Sequence, residues 1–99
     1  IDSFSEKNSN NVIIWGTGEF SKYLFDTAEE DSYVVSGIVD GMEEKWGSAF
    51  MGFEVQSPQS LVDNKSDIII ASVNFYGEIF NKLISIGVSR DRIIPNFLL

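Results

Sequence analysis

The chain has no cysteine and no histidine in its 99 residues. That removes disulfide staples, zinc sites of the Cys/His type and histidine acid–base chemistry from consideration. A cysteine-free chain fits a cytoplasmic location, which is the expectation taken here. No run of 18 apolar residues occurs, so no membrane span is predicted, and no signal-peptide pattern is visible. Basic residues are scarce as well: seven Lys and Arg stand against 15 Asp and Glu, for a net charge of −8. Such a surface repels nucleic-acid phosphates and anionic lipid, so neither DNA, RNA nor a membrane is an expected partner. The same charge opposes a nucleotide. Any phosphate site must therefore work through local backbone groups.

What is present is one small domain's worth of apolar residues, 43% of the chain. A chain this short builds one core and no large internal cavity, so a ligand would sit at an edge or crevice, or against another domain. The opening "IDSFSEKNSN" is polar and aperiodic and reads as a tail or linker stub over residues 1–10. A Rossmann-like domain is assigned to residues 11–99. A first residue of Ile1 suggests a domain cut from a longer protein, which makes another domain of the same parent chain an expected partner.

Asn11 to Trp15 is a continuous apolar run, the pattern of a parallel strand covered on both faces. Glu19 to about Glu30 reads as a helix, with Phe20, Tyr23, Leu24, Thr27 and Ala28 on one face. Tyr33 to Val39 is a second strand, closed by an Asp40-Gly41 turn signal. Gly52 to Val55 is expected as a short edge strand, and Ser57-Pro58 opens a brief helix. Asp67 to Ala71 is the clearest strand. A helix from about Phe75 to Ile86 follows, with Asn74 as its expected cap, Ile79, Phe80, Leu83 and Ile84 as its apolar face, and Gly87 as its stop. Arg92 to Pro95 is a last short strand. Strands alternating with helices predict an α/β fold: a small Rossmann-like three-layer unit with a mainly parallel, four-stranded sheet plus the edge strand.

Gly16-Thr17-Gly18-Glu19-Phe20-Ser21 matches G-x-G-x-x-[small] between a strand and a helix. The first glycine permits a sharp turn, the second lets a phosphate approach the backbone, and Ser21 is small enough for helix and strand to pack closely. Free N–H groups at the helix start favour an anion. Glu19 works against one, because its carboxylate can occupy the positive helix end itself. A tight turn without ligand is the alternative. Asp40 ends the second strand at about the 20-residue separation at which Rossmann sites place an acid for ribose hydroxyls. Its alternative role is an Asp-Gly turn residue bonded to its own backbone. Ser72 and Asn74 follow the third strand and should border the same crevice, with helix capping the preferred role for Asn74. Trp46 and Phe50 are expected to cover the core, with stacking on a base or contact with another domain as the alternative, while Glu43, Glu44 and Lys45 read as a solvated charge run. Lys22 either offsets phosphate charge or faces water. No nucleophile–base pair and no metal-ligand set emerges, so the isolated chain is expected to catalyse nothing.

The segments "VIIWGTGEFSKYL", "SGIVDG", "KWGSAFMGFEVQSPQSL", "DIIIASVNFYGEIFNKLISIGV" and "RIIP" together resemble a domain of bacterial surface-glycan enzymes. That domain stands at the N-terminus of nucleotide-sugar acetyltransferases and of membrane-bound nucleotide-sugar dehydratases, and related copies accompany methyltransferases and glycosyltransferases. The resemblance implies a domain that binds the uridine nucleotide of a sugar, and it carries that role to Gly16, Gly18 and Asp40. Two features depart from the acetyltransferases. They often carry Gly-Gly-His where this chain has Gly18-Glu19-Phe20, and many have a second acid where Gly41 stands. Both departures favour an accessory domain attached to another enzyme. The candidate ligands are a uridine nucleotide-sugar and NAD.

Overall fold

The computed structural model describes residues 11–94. The expected polar stub and Pro95 lie outside the described residues. The elements are β1 (Asn11–Trp15), α1 (Glu19–Thr27), β2 (Val34–Val39), β3 (Ala49–Phe50), β4 (Phe53–Gln56), β5 (Asp67–Ile70), α2 (Tyr76–Ser85) and β6 (Ile93–Ile94). Short 3₁₀ turns cover Glu43–Lys45, Pro58–Leu61 and Arg90–Arg92.

One sheet orders its strands β3-β4-β2-β1-β5-β6. All pairings are parallel except β3 with β4. The α/β Rossmann-like expectation holds, with six strands among the described residues where four and an edge were expected. Strand order reverses between β1, which pairs with β2 on one side, and β5 on the other. In open parallel sheets such a switch point is where a crevice opens.

Alternation along β1 builds two cores. Val12 and Ile14 pack with Ile38, Val55 and the α1 residues Leu24 and Phe25. Ile13 and Trp15 pack with Ile68, Ile70, Leu61 and the α2 residue Leu83. The continuous apolar run at residues 12–15 thus serves a layer on each side of the sheet, as side chains of alternating direction require.

Several local expectations need correction. α1 turns Ser21, Leu24 and Phe25 inward, while Tyr23 is 57% exposed. The small Ser21 seats the helix against the β1 turn, and that rotates Phe25 onto Phe50 and Phe53. α2 likewise uses Ile86 where Ile84 was expected, and Ile84 is exposed. Phe75 is the N-cap and no side chain caps α2 in that position. Asn74 is exposed, and the Phe75 N–H instead donates to Ser72 Oγ at 3.1 Å. The "GFEV" strand is not an edge strand: β3 lies outside it. β3 and β4 are joined at Met51-Gly52, with φ of 52° and 88°. Positive φ at both central residues is the type I′ hairpin turn, which favours glycine at its second position. Ser57 caps the Pro58–Leu61 turn through Gln59 N at 3.0 Å, as its sequence suggests.

Arg92 ties the last strand to the rest. Its Nε donates to Ser66 O at 2.9 Å and its Nη1 to Leu61 O at 2.8 Å. Burial pulls its pKa below the ordinary arginine value, and the nearby Asp67 carboxylate opposes that shift. Arg92→Ala should cost roughly 2–3 kcal/mol, because two carbonyls lose charged donors. Arg92→Lys should recover less than half, since an ammonium lacks the planar fork. Urea denaturation midpoints measure both.

Tyr33 donates its hydroxyl to Leu24 O at 2.9 Å, joining the start of β2 to α1. Burial, the largest cause, raises its pKa above 10.0, with Asp31 and Tyr23 adding to the rise and Thr27 opposing it. The folded state holds this proton more tightly than the unfolded chain does. The resulting stability is complete below the ordinary tyrosine value and is lost as pH rises through the raised one. Alkaline melts should therefore show extra loss of stability above pH 10.0. Tyr33→Phe should flatten that loss and remove one phenol from an absorbance titration.

Candidate functional site

The site begins where β1 ends. Gly16 has a φ of +130°, and a Cβ there would lie 3.3 Å from both Ala71 O and Ser21 Oγ. Its N–H donates to Val39 O at 2.8 Å, and its carbonyl accepts from Ser21 Oγ at 2.8 Å. Ser21 is fully buried, so the small third position of the motif sits where close helix–strand packing demands it. Gly18 differs. Its φ of −112° suits any residue, and a Cβ there meets nothing within 4 Å. The space above Gly18 is open, while that at Gly16 is filled by the protein itself.

Gly18 is the N-cap of α1, and no side chain caps the helix. The Glu19 carboxylate is 91% exposed and pairs with Lys22 at 3.3 Å. It therefore points away from the N–H groups of the first turn, which keep their attraction for an anion. The expectation that Glu19 fills the positive end of the helix is corrected by this placement, and Lys22 faces water with it. Phe20 is half-buried beside Tyr23, with ring centroids 6.3 Å apart.

Asp40 sits at the end of β2, 8% exposed. Its Oδ2 accepts from Thr17 Oγ1 at 3.0 Å, and its Oδ1 accepts from the Met42 N–H at 2.9 Å. The second bond is the local Asx turn that the sequence allows. The first joins Asp40 to the glycine turn. Lys45, read from the sequence as solvated, is half-buried, and its Nζ donates to Thr17 Oγ1 at 2.9 Å. Trp46 Nε1 donates to the Asp40 carbonyl at 2.7 Å. Phe50 covers the core as expected, but Trp46 stands at a groove.

That groove holds about 400 Å³ and runs from Gly41 and Trp46 past Trp15 and Pro58 to Ile79 and Ile86 of α2, with Glu43, Ser57, Gln59, Glu78 and Lys82 also lining it. The crossing from β4 to β5, made with only a 3₁₀ turn, supplies Ser57, Pro58 and Gln59 to one wall of it. Ser72 and Asn74 follow β5, next to Ala71 and hence to Gly16. The structure thus brings Gly16, Thr17, Gly18 and Asp40 to one edge of the sheet, with Ser72 beside them. Lys45 was missed as a site neighbour, and Trp46 stands at the groove where a core role was preferred for it. The one available signal was a single basic residue beside an aromatic, soon after the second-strand acid.

The C2185-like N-terminal family matches residues 8–94. The chain belongs to that family. No curated protein matches its sequence. Among solved structures, the C2185-like domain is similar to UDP-D-quinovosamine 4-dehydrogenase from Vibrio fischeri, at 17% identity and a TM-score of 0.61, over 90% of this chain and 80% of that one. It is also similar to RSP, a Rex-family repressor, at 20% identity and a TM-score of 0.60, over 81% of this chain and 42% of that one. RSP in complex with β-NAD⁺ and operator DNA matches at 20% identity and a TM-score of 0.58, over 87% of this chain and 49% of that one. The C2185-like domain therefore spans about half the length of the repressor it resembles. At these identities the likeness is one of fold.

The two glycines should respond unequally to a methyl group. Gly16→Ala combines a left-handed backbone with a 3.3 Å approach to Ala71 O, and should destabilise by roughly 2 kcal/mol or more. Gly18→Ala should cost less, about 0.5–1 kcal/mol, the preference of an N-cap for glycine over alanine. Thermal melts of the two variants check this.

Proposed function

We propose that this domain binds a nucleotide at the edge formed by the glycine turn and Asp40. The observation that carries the reading is the Thr17–Asp40 hydrogen bond, which places the phosphate-type turn and the ribose-type acid side by side. In this reading the diphosphate lies over Gly18, where the backbone is open and the helix start is uncapped. A ribose hydroxyl reaches Asp40, and the base extends toward the groove between Gly41 and Trp46. Neither the glycine turn nor Asp40 lines that groove, so only the base would enter it.

The nucleotide is a uridine nucleotide-sugar or NAD. The name of the quinovosamine dehydrogenase supports the first and the RSP complex with β-NAD⁺ supports the second, each by analogy of fold. The resemblance of the sequence segments to surface-glycan enzymes favours the uridine nucleotide-sugar, and with it a glycan-biosynthesis parent whose catalytic residues lie in another domain. A second reading is an accessory domain that positions such a neighbour and binds nothing small. It draws support from the Asp40 carboxylate, both of whose oxygens already accept internal hydrogen bonds.

Calorimetric titration with uridine diphosphate, a uridine diphosphate sugar and NAD separates these readings. Asp40→Ala should weaken binding by roughly 1.5–3 kcal/mol, the worth of a charge-assisted hydrogen bond. Gly18→Val should abolish it and lower the melt only slightly, because the space it fills is empty of protein. Equal affinity in parent and both variants would put the site elsewhere. Failure of all three nucleotides to bind the parent chain would favour the accessory domain.

A further inference from the structure

Between β2 and β3 the chain makes a strap that is fixed differently at its ends and in its middle. At the near end the Asp40 N–H donates to Gln56 O at 3.2 Å. At the far end Gly47 N–H donates to Val55 O at 2.9 Å, and Val55 N–H donates to Ser48 O at 2.8 Å. Both ends are thus held to β4 by backbone bonds. The middle, Gly41 to Trp46, is one turn closed by its own bonds from Lys45 N to Met42 O and from Trp46 N to Glu43 O. Three bonds hold this turn down, and each ends on Thr17 or Asp40: Lys45 Nζ to Thr17, the Met42 N–H to the Asp40 carboxylate, and Trp46 Nε1 to the Asp40 carbonyl. Met42, Glu43 and Glu44 are exposed, so the apolar burial of this turn comes from Trp46 and from Gly41 against the Trp15 ring.

Thr17 is the shared point. Its single hydroxyl donates to Asp40 Oδ2 and accepts from Lys45 Nζ. The donor it spends on Asp40 is the kind of donor a ribose hydroxyl would bring. With Asp40 only 8% exposed, a ribose cannot simply add to this arrangement. A ribose hydroxyl that bonds to Oδ2 competes with the Thr17 hydroxyl for that oxygen, and displacing Thr17 costs Lys45 the fixed geometry of its partner.

We propose that Thr17 is a latch that holds the Gly41–Trp46 strap closed and competes with the ribose of a nucleotide for Asp40. The competition rests on the nucleotide reading above; the closure of the strap does not. Binding and strap opening are one coupled step. The apparent affinity is the intrinsic one reduced by the fraction of molecules already open. Thr17 is a positioning residue that sets this fraction through Lys45 and Asp40. Opening frees the Lys45 ammonium from its bond to Thr17.

Thr17→Val keeps the side-chain shape and removes the hydroxyl, while Thr17→Ser keeps the hydroxyl. Hydrogen–deuterium exchange of the 99-residue chain reads the strap directly. In Thr17→Val, amides of Met42 to Trp46 should exchange about five- to tenfold faster, with α1 and β5 unchanged. Thr17→Ser should match the parent. Titration with NAD and uridine diphosphate reads the competition. Thr17→Val should bind whichever nucleotide the parent binds several-fold more tightly, or bind where the parent shows no signal. Unchanged exchange in Thr17→Val overturns the latch. Faster exchange with weaker nucleotide binding overturns the competition and makes Thr17 a ligand contact. Binding of neither nucleotide to any variant sinks the nucleotide reading, and the exchange result alone then decides whether Thr17 closes the strap.

Discussion

Three strands and a helix meet at Gly16. Its N–H reaches β2, its carbonyl takes the Ser21 hydroxyl from α1, and its α-carbon lies against the residue that follows β5. The positive φ that allows these contacts is open to glycine and strained for other residues. The turn therefore fixes where α1 leaves the sheet, and the helix's inward face follows from it. Ser21 must be inside and small, Leu24 and Phe25 follow it inward, and Tyr23 is left outside. The position of Thr17 is a further result, because the residue after Gly16 is delivered to the end of β2, where Asp40 waits.

Asp40 shows how an acid can be buried and ordered on a chain with net charge −8. Its oxygens are met by a hydroxyl and a backbone N–H, and the nearest cation, Lys45, acts through Thr17. Such an arrangement satisfies a buried carboxylate with dipoles. It leaves the lysine's charge available to anything that arrives at the turn. The Glu19–Lys22 pair lies out in solvent, where it adds little stability and does not block the helix start.

Much of the fold was legible because each layer writes its own period. The continuous run of Val12 to Trp15, the motif around Gly16 and Gly18, and the strand at Asp67 all mark the parallel sheet and its crossovers. Helix faces were less legible. At α1 the sequence offers two overlapping stripes that share Leu24, and only the contact between Gly16 and Ser21 selects one. β3 was missed because two residues carry no periodic signal; its trace was the Met51-Gly52 pair between two phenylalanines. Asn74 has a good capping side chain, yet Ser72, three places before Phe75, is the residue whose Oγ takes the Phe75 N–H. At the site, the glycines and Asp40 could be read from spacing. Lys45 could not, because its neighbours Glu43 and Glu44 give it the look of a surface charge run. Only the 3₁₀ turn, which aims it back at Thr17, distinguishes it from them.

The sheet's two outer strands, β3 and β6, are each two residues long in the described structure. An outer strand offers unpaired backbone donors and acceptors to any passing chain, and a long flat one templates a neighbour. Two residues provide too little ladder for that. β3 is also bent back by a tight hairpin, and the residue after β6 in the sequence is Pro95, which has no N–H to offer. Copies of the domain also repel one another through their shared negative charge. On its β3 side the sheet is thereby a poor template for a further strand borrowed from another molecule.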